Sequence, residues 1–260
     1  MDSQSSRGDQ PGRAFESALN LIKRRESINT LSTNGIGLEG LLGGLEPGLF
    51  YLFYSDDGGR LADRILQELL VEAVSDEAQR GFYLVCGNYR RSRTVLDSER
   101  LLSLIEAERL DVSDALSRIH VVCAFSERQQ MRAPSLIESV LAKEGGFSII
   151  VAQQITKIFY GKTALRYEHP AQFTGMVSKL KGLCGEGGII LAATCRSSGR
   201  GSPIPLPEGG SFLRHAANAI VYLRGRRREG VSAYLVKHPD QRRSGRMIHI
   251  DGEGEASWGG

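Results

Sequence analysis

Short apolar runs at residues 50–54, 82–86, 119–124, 147–152 and 188–194 recur along the chain, and most are separated by stretches long enough for a helix. A strand that is apolar along its whole length has no face suited to water, so both of its faces must be covered. Strands of this kind alternating with helices build a largely parallel sheet with helices packed on both sides. The expected helices fall at 61–76, 96–109, 134–143 and 169–184, with a short one at 38–42 closed by Gly43 and Gly44. Three later runs, at 217–224, 231–238 and 247–251, have no helical stretch between them and are expected to form an antiparallel edge. The fold class is therefore α/β, with a mostly parallel central sheet flanked by helices and an antiparallel C-terminal edge.

The chain has 260 residues, of which 41% are hydrophobic, enough for one core of upper-normal domain size. That core is expected over 28–251. Residues 1–27 read as a polar, disordered leader followed by a short amphipathic helix, and 252–260 as a flexible glycine-rich tail. The cysteines Cys86, Cys123, Cys184 and Cys195 form no CxxC pair, and no His/Cys cluster has zinc-ligand spacing, so no metal is expected. Residues 1–13 lack the apolar stretch of a signal peptide, and no apolar run approaches the ~20 residues that span a bilayer. The expectation is a cytoplasmic protein with no membrane partner.

Charge is unevenly placed. Between Arg196 and Arg246 eleven Lys and Arg face three acids, Glu208, Glu229 and Asp240, leaving +8 where the whole chain carries +3. Such asymmetry suits an anionic partner, although a solvated basic surface has the same composition.

In a sheet of this type, ligands gather beyond the carboxyl ends of the strands. The first strand runs into a glycine turn and then a helix, the layout of a phosphate-binding loop. That motif, GxxxxGK[ST], needs glycines to turn backbone N–H groups on the phosphates, a lysine for the β/γ-phosphates and a hydroxyl for magnesium. Here the stretch is Ser55, Asp56, Asp57, Gly58, Gly59, Arg60, Leu61, Ala62. Serine replaces the first glycine, and Leu61 and Ala62 stand at the lysine and hydroxyl positions. A one-residue shift puts Arg60 in place of the lysine but still gives magnesium no ligand. Asp56 and Asp57 bring negative charge to the phosphate seat, where they can satisfy the helix N-terminus internally.

The surrounding sequence gives this loop a context. Leu31-Ser32-Thr33-Asn34-Gly35-Ile36-Gly37-Leu38, with Leu41-Leu42-Gly43-Gly44-Leu45-Glu46-Pro47-Gly48, resembles the start of the ATPase core in archaeal RadA-like members of the RecA/RadA recombinase superfamily. Leu116-Ser117-Arg118-Ile119-His120-Val121 and Gln129-Gln130-Met131 are similar to a later family segment. Gly209-Gly210-Ser211-Phe212-Leu213-Arg214-His215-Ala216-Ala217 and Val221-Tyr222-Leu223-Arg224 resemble one near the core's end. Their order and spacing match the family from Phe15 to about Ile250.

The resemblance implies a RecA-like P-loop NTPase core with degenerate ATPase motifs. The family's water-activating glutamate would fall on Gly87, with no acid anywhere from 82 to 93, and its magnesium-ordering aspartate falls on Gln153. With Leu61 and Ala62 in the loop, these departures imply a pseudo-ATPase with no catalytic residues and no cofactor; weak ATP binding through Arg60 stays open. Phe15-Glu16-Ser17-Ala18 matches the family's F-x-x-A docking motif and implies that Phe15 and Ala18 engage a RadA-like recombinase or another paralogue. The family's two DNA loops correspond to residues 160–169, with Lys162 and Arg166, and 196–208, with Arg196 and Arg200; Arg226, Arg227 and Arg228 could add a phosphate clamp. The expected function is that of a non-catalytic recombinase paralogue binding its partner and single-stranded DNA in recombinational DNA repair, nucleoid-associated if the source is archaeal. A divergent active DNA-dependent ATPase and a KaiC-like interaction or signalling module without DNA binding are the alternatives.

Overall fold

A computed structural model describes residues 28–87, 96–160, 170–198, 202–226 and 230–250. The sites expected at Phe15, Ala18, Lys162, Arg166, Arg200, Arg227 and Arg228, and the tail, lie outside the described residues.

Eight strands form one sheet: β1 (Phe50–Ser55), β2 (Arg80–Cys86), β3 (Ile119–Ala124), β4 (Phe147–Gln153), β5 (Ile190–Arg196), β6 (Ala219–Arg226), β7 (Gly230–Lys237) and β8 (Met247–Ile250). Their spatial order is β3-β2-β4-β5-β1-β6-β7-β8. The helices are α1 (Glu39–Leu42), α2 (Arg60–Val74), α3 (Ser98–Ala107), α4 (Val112–Ser117), α5 (Glu127–Leu141), α6 (Ala171–Gly187) and α7 (Gly210–Ala216).

The continuous apolar runs have the meaning expected of them. On β1, Tyr51 and Phe53 enter one core with Leu61, Ile65, Leu66 and Leu69 of α2, while Phe50, Leu52 and Tyr54 enter a second with Phe173 and Val177 of α6. Alternation along a strand sends neighbours to opposite faces, so a strand covered on both sides is buried throughout.

One reading is extended and one corrected. The three late strands form the expected antiparallel edge, β6 with β7 and β7 with β8, and β6 in addition pairs parallel with β1, Tyr51 opposite Ala219, so it joins that edge to the parallel sheet. The connection into β6 is therefore a crossover. It contains α7, which buries only Leu213 and so leaves no helical periodicity in the sequence. Second, α5 begins at Glu127 and contains Pro134, rather than starting there. Ser126 caps it by accepting a hydrogen bond from the Gln129 N–H at 3.3 Å, and Gln129 Oε1 accepts from the Phe125 N–H at 2.9 Å. The proline gives up one helical bond, but burial of Gln130, Ala133 and Pro134 holds the segment in place.

α4 has no counterpart among the expected helices. Asp111 caps it, accepting from the Asp114 N–H at 2.8 Å. Among the described residues no helix is long and apolar enough to cross a membrane.

Candidate functional site

The carboxyl ends of β4, β5 and β1 lie side by side in the sheet. Ser55 sits opposite Arg196, and Gln153 opposite Val85. The turn after β1 carries Gly58 and Gly59 at φ +83° and +91°, values that side-chain-bearing residues rarely adopt, and α2 starts at Arg60.

A helix start leaves backbone N–H groups without partners. Gly59, as N-cap, has no side chain to supply one. Asp57 does so instead: Oδ1 accepts from the Gly59 N–H at 3.1 Å and the Ser55 hydroxyl at 2.5 Å, and Oδ2 accepts from the Leu61 N–H at 2.9 Å. A carboxylate of the chain itself therefore occupies the place that the helix dipole makes favourable for an anion. Arg60 turns back, its Nε donating to the Asp57 carbonyl at 3.3 Å. Leu61 and Ala62 are buried in the core. Of the two aspartates singled out in the sequence, Asp57 takes the seat; Asp56 pairs with Tyr222, whose hydroxyl is raised to about 12 by burial and then by that carboxylate.

Asp63, on the first turn of α2, lies behind this cap. Its Oδ1 accepts from the Thr194 hydroxyl at 2.5 Å and from Gln154 Nε2 at 2.9 Å; its Oδ2 accepts from Gln153 Nε2 at 3.2 Å and Gln154 Nε2 at 3.0 Å. Gln153 Oε1 in turn accepts from the Tyr83 hydroxyl at 3.3 Å. Burial pushes the Asp63 carboxyl up to about 6, against the opposing pull of its hydrogen bonds from Thr194, Gln153 and Gln154. Burial also lowers the Lys157 ammonium, an effect opposed by the Asp63 carboxylate.

Gln154 adopts φ +55°, uncommon for a residue with a side chain. Its backbone N–H donates to Thr194 Oγ1 at 2.8 Å, and its side chain lies so close over the turn that a Cβ on Gly59 would stand 2.1 Å from Nε2. The positive φ is held from both ends, by Thr194 on the backbone and Asp63 on the amide.

A cleft of about 470 Å³ opens in front of this cluster, lined by Gly58, Arg60, Asp97, Glu99, Gln153 and Lys157. A magnesium–nucleotide phosphate group does not fit these residues. The N–H groups of Gly59 and Leu61 at the helix start are bonded to Asp57, Ala62 offers no hydroxyl, and Asp97 and Glu99 add negative charge to the cleft. Gly87 is buried, its N–H donating to the Ala124 carbonyl at 3.1 Å.

Among the proposed DNA contacts, Arg196 is described, as is the backbone of Arg226 at the end of β6. The Arg196 guanidinium pairs with Glu208, NH2 to Oε1 at 2.6 Å and Nε to Oε2 at 3.2 Å. Other charges of the basic segment also turn inward. Lys237 Nζ donates to the carbonyls of Ala217 at 2.5 Å and Arg214 at 2.9 Å at the end of α7, and Arg243 donates to the Leu42 carbonyl at 2.7 Å. Arg224, Arg242 and Arg246 are exposed.

Sequence reasoning missed Asp63 and Thr194, and gave no role to Gln154, Thr156 or Glu208, which lie in the segments beyond the carboxyl ends of β4 and β5, where ligands gather. Asp63 had a signal: it is an acid within the apolar stripe of Leu61, Ala62, Ile65 and Leu66. No protein-family model matches the chain.

Proposed function

We propose that this chain is a RecA-like core in non-catalytic form, a paralogue of RadA-type recombinases. It docks on a recombinase-type partner through Phe15 and Ala18 and binds single-stranded DNA in recombinational repair. The observation that carries the reading is the Asp57 carboxylate seated on the N–H groups of Gly59 and Leu61. A chain that fills its own phosphate seat has no need of the lysine, the hydroxyl or the two acids that are missing, and their joint absence becomes one change rather than four. The sequence similarities from Leu31 to Arg224 and the basic segment after Arg196 support the partner and the DNA.

A fluorescently labelled single-stranded oligonucleotide is expected to bind, with log affinity falling linearly with log salt as phosphate contacts release counterions. Phe15→Glu is expected to abolish co-purification with the recombinase partner, since a buried aromatic anchor contributes on the order of 2 kcal/mol or more. Salt-insensitive or absent nucleic-acid binding sinks the DNA part; undiminished co-purification sinks the docking part. The inward pairing of Arg196, Lys237 and Arg243 favours a second reading, a KaiC-like interaction module without DNA binding, and the same titration separates the two.

A further inference from the structure

Glu208 is the only acid between Arg196 and Arg228, and two side chains converge on it with three hydrogen bonds. Arg196 meets it with two N–H groups, at 2.6 and 3.2 Å, and the Thr156 hydroxyl donates to its Oε2 at 2.6 Å. Arg196 NH2 also donates to the Tyr160 carbonyl at 3.2 Å. Thr156 and Tyr160 lie just before residue 161, and Arg196 and Glu208 are the two ends of the 196–208 loop. One carboxylate thus ties together the roots of both stretches proposed to meet DNA.

The backbone makes the tie durable. Ser197 bridges Pro207, the Ser198 N–H donates to the Leu206 carbonyl at 2.7 Å, and the Glu208 N–H donates to the Arg196 carbonyl at 2.8 Å. The buried Tyr54 hydroxyl anchors the loop from below, donating to the Pro205 carbonyl at 2.7 Å. Glu208 is therefore held in place whether or not it pairs with Arg196. The Glu208 side chain is 15% exposed and that of Arg196 34% exposed, so the arginine is the partner that solvent, or a phosphate, can reach.

We infer that Glu208 is an autoinhibitory counterion: it occupies the Arg196 guanidinium, and a nucleic-acid phosphate must displace it to recruit that arginine. A guanidinium satisfied by one bidentate carboxylate offers its best geometry to no second anion, so the two compete for the same fork. The inference rests on the DNA reading above.

The test uses the full chain and a fluorescein-labelled single-stranded oligothymidine. Glu208→Gln keeps the size and the Thr156 contact but removes the charge. It is expected to tighten binding severalfold and to steepen the log–log salt slope by about 0.7, the increment for one added phosphate contact on a single strand. Adding Arg196→Ala to Glu208→Gln should remove both gains. Thr156→Val, which loosens Glu208 without altering any charge, should give a smaller gain in the same direction, and thermal melting confirms that each variant is folded. Binding by the parent chain with no gain from folded Glu208→Gln or Thr156→Val overturns the clasp and leaves the DNA reading standing. No binding by any variant overturns both.

Discussion

Replacing Asp63 with alanine lowers the stability of the folded chain by about 3 kcal/mol at neutral pH, read as a drop in the midpoint of urea unfolding. The loss comes from what is left behind. The Thr194 hydroxyl and the side-chain amides of Gln153 and Gln154 all donate to this carboxylate, and all are buried. Without it each keeps its desolvation cost of about 1–3 kcal/mol, offset in part because a buried carboxylate need no longer be dehydrated.

Asp63→Asn separates the charge from the shape. The folded carboxyl keeps its proton up to about 6, where an ordinary one releases it near 3.8. The folded state thus binds the proton more tightly than the unfolded chain. The proton-linked share of the stability at Asp63 is fully present below 3.8 and is lost as pH rises through about 6, while the share from satisfying Thr194, Gln153 and Gln154 remains. Asparagine has no such dependence. From pH 4 to 7 the variant should gain on the parent by on the order of 3 kcal/mol, since each tenfold difference in proton affinity between the folded and unfolded chain is worth about 1.4 kcal/mol. Parallel pH profiles for the two proteins contradict a buried, proton-retaining Asp63.

Gly59→Ala is expected to cost about 3 kcal/mol as well, by a different route. An L-residue at φ +91° pays roughly 1–2 kcal/mol for the left-handed backbone. The added Cβ would also stand 2.1 Å from Gln154 Nε2, forcing the amide off Asp63 and orphaning a buried donor. Gly58 supplies the control. Its φ is +83°, but nothing lies within 4 Å of a Cβ there, so Gly58→Ala should cost only the backbone share. Equal losses from the two substitutions mean that Gln154 is not packed over the turn.

The parallel sheet was legible because a strand buried on both faces cannot hide its composition; the runs at Phe50, Phe82 and Phe147 carried it. Of the short helices, α1 was legible but α4 and α7 were not. α7 buries Leu213 alone and α4 buries Ala115 alone, so neither repeats an apolar position often enough to mark a period. That omission hid the crossover into β6 and its parallel pairing with β1, while the antiparallel run of β6, β7 and β8 was expected and is present. In the site, the negative charge beside the turn was legible and so was its satisfaction of the helix start, although only contact geometry separates Asp57 from Asp56. The contacts of Asp63 with Gln154 and Thr194 span 91 and 131 residues, a closeness that neither spacing nor composition encodes. The Arg196–Glu208 pair was hidden differently: the basic run was read as a total charge, and a total does not record which charges are already answered.

The proposed function requires that Asp57, bonded to the N–H groups of Gly59 and Leu61, stand where a nucleotide phosphate would sit. Isothermal titration of magnesium–ATP into the full chain, paired with an assay for released phosphate, tests it most directly. The account predicts no saturable heat up to millimolar nucleotide and no phosphate above the uncatalysed background, with or without single-stranded DNA. Saturable binding accompanied by turnover that disappears in Arg60→Ala would contradict it and make the chain a working ATPase.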